Sequence, residues 1–307
     1  MQKHNELNND LVSVIIPVHN AEKYLDICLT SISAQTYPNI EVICVLDSCT
    51  DNSEAIIKQY PQIKIYKVDF HNVSKTRNYG IKRAKGAYIA FNDADDKWHP
   101  QRLEKQMQIF NQYSNVDLIF SEVESFNNQD NYWLANPLAE PSGIIPYPKI
   151  LHLLLYQSYI KIQGVIVKKS TLDNSGYFNE LFTHCEDHEL WMRLAADKAI
   201  FYYLPEVLAY YRQHDGSLIS NKTAIHNLRI KAVEMILNRE DLPNTFKKKK
   251  NYYLAAHYRR GANLFYCERN YPLFKKNIRK AMHLSIRTLN SKDYIRIIST
   301  WFGFYFK

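Results

Sequence analysis

The chain has 307 residues, of which 46% are hydrophobic and 23% are charged, an ordinary composition for a globular protein. This length allows one large domain, or one domain with an appendage. The sequence shows no run near the roughly 20 apolar residues of a membrane span, no secretory signal and no CxxC pair among its five cysteines. These features argue against a membrane-spanning protein, a disulfide framework and a zinc site, and we expect a cytoplasmic protein.

The net charge of +8 is distributed unevenly along the chain. Residues 241–307 contain 15 Lys and Arg but only 3 Asp and Glu, whereas the rest contains 24 and 28. A mildly acidic body is therefore followed by a strongly basic C-terminal segment. Such asymmetry indicates an anionic partner for that segment.

The first 125 residues alternate between short apolar runs and segments with helical periodicity. Gly, Pro and Asn or Asp mark the boundaries between them. The predicted strands are residues 12–18, 40–46, 63–68, 88–91 and 116–123, and the predicted helices are residues 22–35, 53–60, 74–84 and 100–113. This order predicts a doubly wound α/β sheet with right-handed crossovers.

The pattern is less regular in the second half of the chain. We predict a loop over residues 126–148, and two short strands over 199–211 that are broken by Pro205. The other predicted elements are a helix at 150–156, a strand at 163–167, a helix at 186–196 and helices after 220, with a linker-like lysine run at 247–250.

The most informative stretch is the apolar run 88–91, which three carboxylates follow. Asp93, Asp95 and Asp96 would repel one another unless a cation lay among them. Mg²⁺ and Mn²⁺ take oxygen ligands and often share them with substrate phosphates, and ligands of open α/β sheets bind beyond the carboxyl ends of strands. The stretch therefore predicts a metal–diphosphate site, the alternative being a solvated acidic turn that caps the next helix.

Glycine-rich phosphate loops are missing from the sequence. The chain has only eight glycines, and neither GxGxxG nor GxxxxGK spacing occurs. The sequence therefore argues against a dinucleotide-dependent hydride-transfer enzyme and against a P-loop hydrolase. A bound diphosphate would then depend on the cation held by Asp93 and Asp95.

Five segments, including the carboxylate stretch, occur in an order that is specific to one family. They are residues 13–22, 31–37, 45–53, 77–80 and 93–96. Together they resemble the family 2 glycosyltransferases, which have the GT-A fold, over roughly residues 11–215. The resemblance implies a doubly wound mixed sheet flanked by helices, and inverting transfer of a hexosyl or N-acetylhexosaminyl group from a nucleoside diphosphate sugar, with uridine as the expected base.

The resemblance also implies a division of the chain. A catalytic domain would cover residues 1–220, with a nucleotide-sugar half at about 11–125 and an acceptor half at about 126–220. Residues 221–307 would form a helical, basic extension.

The donor pocket implied by the resemblance begins after the first strand. Pro17, His19 and Glu22 would line the base pocket, and Asp47 would hydrogen-bond the nucleobase. Asp47 could instead cap the following helix.

Three departures from the family pattern occur in this pocket. The family usually has Tyr at the position of His19, Asp at the position of Leu46 and Gly at the position of Ser48. Since Asp47 keeps the carboxylate that the family retains more often, we expect donor binding to survive.

The resemblance implies that the diphosphate and a divalent cation meet at the end of the fourth strand. Arg77 would contact the diphosphate or help to close the site, with Asp93 and Ala94 at the donor ribose. Arg77 could instead form a surface ion pair. Asp93 and Asp95 would bind Mn²⁺ or Mg²⁺. His214, in a segment similar to the closing R-x-H-x-x-S of the family, would be an additional metal ligand.

Inverting transfer requires a general base that takes a proton from the acceptor hydroxyl. The resemblance assigns this role to Asp187, at a predicted helix start. Glu186, Asp96 and Trp191 would contact the acceptor or the donor sugar. The alternatives are that Glu186 and Asp187 complement the helix dipole, and that Trp191 packs in the core.

Two interpretations of the basic C-terminal segment are open. Residues 294–307 are rich in aromatic residues and isoleucine, so the segment could lie on an anionic membrane, which would suit a lipid-linked or lipopolysaccharide acceptor. It could also pack against the catalytic domain. No nucleic-acid-binding motif occurs, and we expect no such partner. The alternatives to a surface-polysaccharide enzyme are a nucleotidyltransferase and a catalytically inactive nucleotide-sugar-binding scaffold.

Overall fold

A computed structural model describes residues 11–134, 137–214 and 222–302 of the protein. The polar N-terminus, the remainder of the R-x-H-x-x-S segment after His214 and residues 303–307, three of which are aromatic, lie outside the described residues.

The described residues form a ten-stranded mixed sheet. Its strands are β1 (Val12–Val18), β2 (Ile40–Asp47), β3 (Lys64–Val68), β4 (Tyr88–Phe91), β5 (Lys97–Trp98), β6 (Leu118–Asn127), β7 (Tyr132–Trp133), β8 (Gly143–Ile145), β9 (Val165–Lys168) and β10 (Phe201–Gln213). They follow the order β3-β2-β1-β4-β9-β6-β10-β5, with β7 beside β6 and β8 beside β10. Strands β3, β2, β1 and β4 are parallel, and β9 runs antiparallel between β4 and β6. The predicted fold class, a doubly wound mixed sheet, is confirmed.

Helices connect most of these strands and cover the sheet. They are α1 (Leu25–Ser33), α2 (Ser53–Ile57), α3 (Val73–Ile81), α4 (Arg102–Gln112), α5 (Lys149–Tyr156), α6 (Lys169–Ser175), α7 (Glu186–Ala196), α8 (Lys222–Leu237), α9 (Asn244–Lys247), α10 (Lys250–Cys267), α11 (Tyr271–Ser285) and α12 (Ser291–Phe302). The face of α1 that its spacing predicts to be apolar is buried: Leu25, Cys28, Leu29 and Ile32.

Helix α3 packs unusually close to the sheet. A Cβ atom on Gly80 would lie 2.8 Å from Cγ2 of Ile15 in β1 and 3.3 Å from Cγ2 of Val45 in β2. The absence of a side chain at Gly80 therefore sets the distance between α3 and the two strands. This close packing positions Arg77, one turn earlier on the same helix.

Several short elements were not predicted from the sequence. Strands β5, β7 and β8 have two or three residues, too few for a period of two to be recognised. Residues 126–148 are accordingly not all loop. Helix α6 was also missed, because it directly follows β9 without a turn signal.

The prediction of two strands around Pro205 was wrong. Strand β10 is continuous from Phe201 to Gln213 and pairs in parallel with β6 over ten positions. The register shifts between Leu204 and Val207, and Pro205 lies in this irregular stretch. A proline without an N–H group is tolerated at a bulge, where the ladder of hydrogen bonds is interrupted.

The chain divides into two compact units. The first is drawn from Met1–Ile150 and Tyr159–Ser220, and the second from Leu151–Ser158 and Asn221–Lys307. The second unit is helical and has a small core of Ala262, Phe265, Phe274 and Ile278. No pattern in the sequence had marked residues 151–158 as part of this unit. Among the described helices, none combines the length and the apolar character that a membrane crossing needs.

Candidate active site

Asp93 lies just beyond the buried strand β4, and both of its carboxylate oxygens are held by other segments. Oδ1 accepts a hydrogen bond of 2.6 Å from Nη2 of Arg77, and Oδ2 accepts one of 3.0 Å from Nε2 of Gln163. The side chain of Asp93 is still 27% exposed. The carboxylate is therefore fixed in orientation and accessible.

Arg77 connects this carboxylate to the start of α7. Its guanidinium group is buried, and Nη1 donates a hydrogen bond of 2.5 Å to Oε1 of Glu186. Burial alone would lower the pKa of Arg77, but the two carboxylates Asp93 and Glu186 outweigh it and raise the pKa above its ordinary value. One permanent cation thus joins residues that lie 16 and 109 positions away in the chain.

Asp95 and His214 form a second pair at the same end of the sheet. Oδ2 of Asp95 lies 3.0 Å from Nε2 of His214. Burial raises the pKa of Asp95, and the neighbouring charge of Asp93 raises it further. The ring of His214 packs 4.9 Å from that of Tyr24, and the guanidinium of Arg212 lies 4.7 Å from the Tyr24 ring.

The donor set at this position fits a divalent cation of the Mg²⁺ or Mn²⁺ type. Carboxylate oxygens and an imidazole nitrogen suit Mn²⁺, and carboxylates alone suit Mg²⁺. Across residues 11–134, 137–214 and 222–302, no three His, Cys, Asp or Glu side chains converge into a complete ligand set. A cation here would need further ligands from water or substrate phosphates, which is how Mg²⁺ is usually bound.

Asp47 is the last residue of β2, and its carboxylate binds the loop that leads into α3. Its carboxylate accepts hydrogen bonds from the N–H groups of Phe70, His71 and Asn72 at 2.7, 2.9 and 3.1 Å, and from the hydroxyl of Thr76 at 2.7 Å. Burial would raise its pKa, but these hydrogen bonds outweigh burial and lower it. The carboxylate therefore organises the loop that leads into α3. Its contact with a nucleobase remains a prediction.

The other residues predicted to line the base pocket lie around the same loop. Nδ1 of the exposed His19 lies 2.7 Å from the carbonyl oxygen of Asp47. Oε2 of Glu22 accepts a hydrogen bond of 3.0 Å from the N–H of Asn52, which precedes α2. Pro17, in β1, is half-buried. The structure therefore brings His19 next to Asp47, and it gives Glu22 a capping contact.

Asp187 lies in the first turn of α7, directly after Glu186. The residue before them, Cys185, adopts a left-handed backbone conformation with φ of 59°, which few non-glycine residues adopt outside functional or turn positions. Asp187 is half-buried, and its Oδ1 accepts a hydrogen bond of 2.7 Å from the N–H of His188. Through Arg77, this turn is fixed relative to Asp93.

Two predicted contacts with the acceptor or donor sugar need correction. Trp191 has no exposed surface and packs among Phe91 and Phe178, because it lies on the inner face of α7. Asp96 is also fully buried, where it accepts a hydrogen bond of 2.7 Å from the N–H of Arg212. Neither side chain can touch a bound sugar in this structure. The predicted donor residue Ala94 is 7% exposed and can offer little more than its backbone.

Sequence reasoning missed three residues that shape the site. Gln163 holds Asp93, while Arg212 and Tyr24 support His214. Arg212 also donates a hydrogen bond of 2.9 Å from Nε to the carbonyl oxygen of Asp95. Gln163 and Tyr24 lie in segments without a recognisable motif. Arg212 is the first residue of the R-x-H-x-x-S segment, from which only His214 had been assigned a role.

Comparison with known sequences points to one family. Residues 13–176, slightly more than half of the chain, match the model of glycosyl transferase family 2. An uncharacterized glycosyltransferase of Rickettsia typhi is 31% identical over 225 residues, which cover 71% of this chain and 68% of that protein. Two longer Rickettsia relatives are matched over only 31% of their length.

A relative with a stated reaction is also similar. The UDP-Glc:alpha-D-GlcNAc-diphosphoundecaprenol beta-1,3-glucosyltransferase WfaP of Escherichia coli is 30% identical over 220 residues, which cover 69% of this chain and 81% of WfaP.

Solved structures support the fold independently of sequence. The S. aureus TarS fragment 1–349 in complex with UDP-GlcNAc superposes with a TM-score of 0.72 at 18% identity, covering 97% of this chain and 93% of that one. The mannosyltransferase PcManGT from Pyrobaculum calidifontis, in complex with GDP-Man and Mn²⁺, gives a TM-score of 0.59 at 13% identity and covers 96% and 88%. At these identities the likeness establishes the GT-A type of fold alone. Together with the family model and the sequence relatives, it shows that this chain belongs to glycosyl transferase family 2.

Proposed function

We propose that the protein is an inverting, metal-dependent glycosyltransferase. It transfers a hexosyl or N-acetylhexosaminyl group from a UDP-sugar to a hydroxyl group of a glycan or lipid-linked acceptor, in the synthesis of a cell-surface polysaccharide. Residues 1–220 carry this activity, with the donor bound by the part at about 11–125 and the acceptor by the part at about 126–220.

The observation that carries the proposal is the bridge made by Arg77. It joins Asp93, at the end of the donor half of the sheet, to Glu186, at the start of the helix that contains Asp187. A transfer reaction requires the donor diphosphate and the base for the acceptor hydroxyl to share one site. The bridge supports that arrangement.

The similar proteins support the choice of donor. WfaP uses UDP-Glc according to its name, and TarS was solved with UDP-GlcNAc, so uridine is the base we propose. The complex of PcManGT contains GDP-Man and Mn²⁺, which supports a divalent cation and makes guanosine the base to test against.

Asp187 acts as the general base in the proposed mechanism. In a single in-line displacement, it accepts the proton of the acceptor hydroxyl while the oxygen attacks the anomeric carbon and the nucleoside diphosphate leaves. Glu186 positions Arg77, which in turn orients Asp93 and places a positive charge behind the proposed diphosphate site. Asp93, Asp95 and His214 would hold the cation, which offsets the negative charge of the leaving diphosphate when bound. No covalent intermediate on the enzyme is required.

The test is calorimetric binding of UDP, GDP and dTDP, each with Mn²⁺ and then with EDTA. Metal-dependent binding of UDP, followed by release of UDP from UDP-sugars in the presence of a glycan acceptor, is the expected result. Metal-dependent binding without turnover on any acceptor, together with no effect of Asp187→Asn, would indicate an inactive nucleotide-sugar-binding protein. Equal binding with and without the chelator would exclude the role of the cation.

A further inference from the structure

Helix α12 exposes four of its apolar side chains and buries three of its polar ones, although Ile297 packs against the small core. Tyr294, Ile295, Ile298 and Trp301 are 43%, 55%, 53% and 36% exposed. In the same helix Asp293, Ser299 and Thr300 are buried. A surface helix of a globular protein normally shows the opposite orientation.

Specific polar contacts maintain this orientation. The buried carboxylate of Asp293 accepts a hydrogen bond of 3.2 Å from Nη1 of Arg259 in α10, and Nη1 of Arg296 donates one of 2.7 Å to Oδ1 of Asn263. Oγ of Ser299 lies 3.2 Å from the hydroxyl of Tyr266. Rotating the helix to bury its isoleucines would leave Arg259 without this carboxylate, which is costly for a partly buried charge.

Basic side chains surround the exposed apolar residues. Nζ of Lys275 and the guanidinium carbon of Arg279, both in α11, lie 5.4 and 5.3 Å from the ring centroid of Trp301. Over residues 271–302 the sequence contains seven Lys or Arg but only one acidic residue, the buried Asp293. The surface of α11 and α12 therefore combines an apolar stripe with an almost purely positive charge.

An open groove runs between the two helices on this surface. It has a volume of about 490 Å³ and is lined by Arg279, Met282, Ile297, Ile298 and Trp301. Met282 in α11 and Ile286, directly after its end, are 37% and 56% exposed. We name the exposed Met282, Ile286, Ile295, Ile298 and Trp301, with Lys275 and Arg279, the α11–α12 face.

We propose that the α11–α12 face binds the surface of an anionic lipid bilayer. Isoleucine and methionine would enter the boundary between headgroups and acyl chains, Trp301 would lie at headgroup level, and Lys275 and Arg279 would contact the anionic headgroups. The proposal is independent of the proposed reaction. A membrane-bound enzyme would, however, be suited to a lipid-linked acceptor.

Charge distinguishes this partner from two others. In a symmetric dimer built on the α11–α12 face, each patch would meet its own copy, so the basic side chains of one protomer would face those of the other. A soluble polyanion such as RNA would match the charge, but it would leave the isoleucines in water. A bilayer with anionic lipid satisfies both properties of the face.

The test is flotation of the full chain with vesicles of phosphatidylcholine alone and of an equimolar mixture of phosphatidylcholine and phosphatidylglycerol. We expect binding to the mixed vesicles that weakens at high salt, and little binding to phosphatidylcholine. Replacing Lys275 and Arg279 by Gln should weaken binding about fivefold for each charge removed. Ile298→Asp should weaken it by about tenfold or more, because an inserted apolar side chain is lost.

Matched substitutions elsewhere serve as controls. Leu181→Asp and Lys58→Gln change an apolar and a basic residue that are 71% and, at the side chain, 65% exposed, both in the first compact unit. They should leave flotation unchanged, and circular dichroism should show that every variant is folded. Equal binding to both kinds of vesicle, or no effect of the α11–α12 substitutions, would overturn the proposal. A dimer in solution that dissociates in Ile298→Asp would also overturn it. So would a chain that does not float with vesicles but binds RNA, if replacing Lys275 and Arg279 by Gln abolishes the RNA binding.

Discussion

Nε2 of His214 lies 3.0 Å from Oδ2 of Asp95, although 119 residues separate the two in the chain. The pairing of short strand β5 with β10 brings them together. Lys97 lies opposite Tyr210, and Trp98 lies opposite Ala209. Since β5 begins two residues after Asp95 and β10 ends one residue before His214, this antiparallel pairing closes the site.

Removing either member of this pair should weaken metal-dependent donor binding. We expect Asp95→Ala to abolish it and His214→Ala to weaken it by at least about tenfold, because even indirect supports of metal sites cost that much. Calorimetric titration of UDP in Mn²⁺ and in EDTA measures the effect. Asp173→Ala, an exposed carboxylate on α6, is the control and should bind like wild type. Unchanged affinity of Asp95→Ala would remove Asp95 from the metal site.

Asp187→Asn should separate catalysis from binding. We expect turnover to fall by roughly 10²–10⁴-fold, the usual contribution of a general base, while the affinity for the donor stays near normal. Steady-state kinetics and donor titration on the same preparation give both values. Asp197→Asn, at the other end of α7, should retain full turnover. A loss of only a few-fold in Asp187→Asn would show that another group is the base.

The stability of the loop before α3 should depend on the charge of Asp47. Asp47→Asn would place an amide where three N–H groups and a hydroxyl require an acceptor, and we expect a loss of about 1–3 kcal/mol in the free energy of unfolding near neutral pH. Because folding lowers the pKa of Asp47, its stabilising contribution is present above the ordinary pKa of about 3.9 and is lost as the pH falls through the lower folded value.

The free energies of unfolding of wild type and Asp47→Asn should therefore converge as the pH decreases below about 4. Urea denaturation at several pH values measures both proteins. A difference that stays constant with pH would indicate that the lost contacts, rather than the charge of Asp47, account for the effect.

Gly80→Ala should destabilise the protein, although alanine favours helices. Its Cβ would lie 2.8 Å from Cγ2 of Ile15, so either α3 or β1 would have to move. We expect a loss of about 1–3 kcal/mol in the free energy of unfolding, the usual cost of overpacking. Lys75→Ala, on the exposed face of α3, should change stability by less than about 0.5 kcal/mol. A more stable Gly80→Ala would show that helix propensity outweighs the contact.

The parallel part of the sheet could be predicted from the sequence because its strands are apolar runs with helical segments between them. Strands β1 to β4 and helices α1 and α7 were recognised in this way. Strand β10 was split in the prediction because a proline normally interrupts a ladder, and only the pairing with β6 shows that a bulge accommodates Pro205.

The motifs located the carboxylates of the site, but not their partners or their exposure. Trp191 lies only four residues after Asp187, yet it faces the core, since a motif does not specify the direction of a side chain. The link between Asp93 and Gln163 depends on a long-range contact that local pattern cannot reveal. Similarly, the sequence of α12 shows two unlike faces, but not that the apolar one is exposed.

The length of strand β10 also fixes the position of His214 along the sheet. Strand β8 pairs with Phe201 to Tyr203 and β5 with Ala209 and Tyr210, while β6 pairs along β10 up to Gln213, immediately before His214. Deleting one residue after the bulge would draw His214 back by about 3.3 Å and turn the following side chains to the opposite face of the sheet. The distance from the bulge to His214 is therefore a fixed length in this protein.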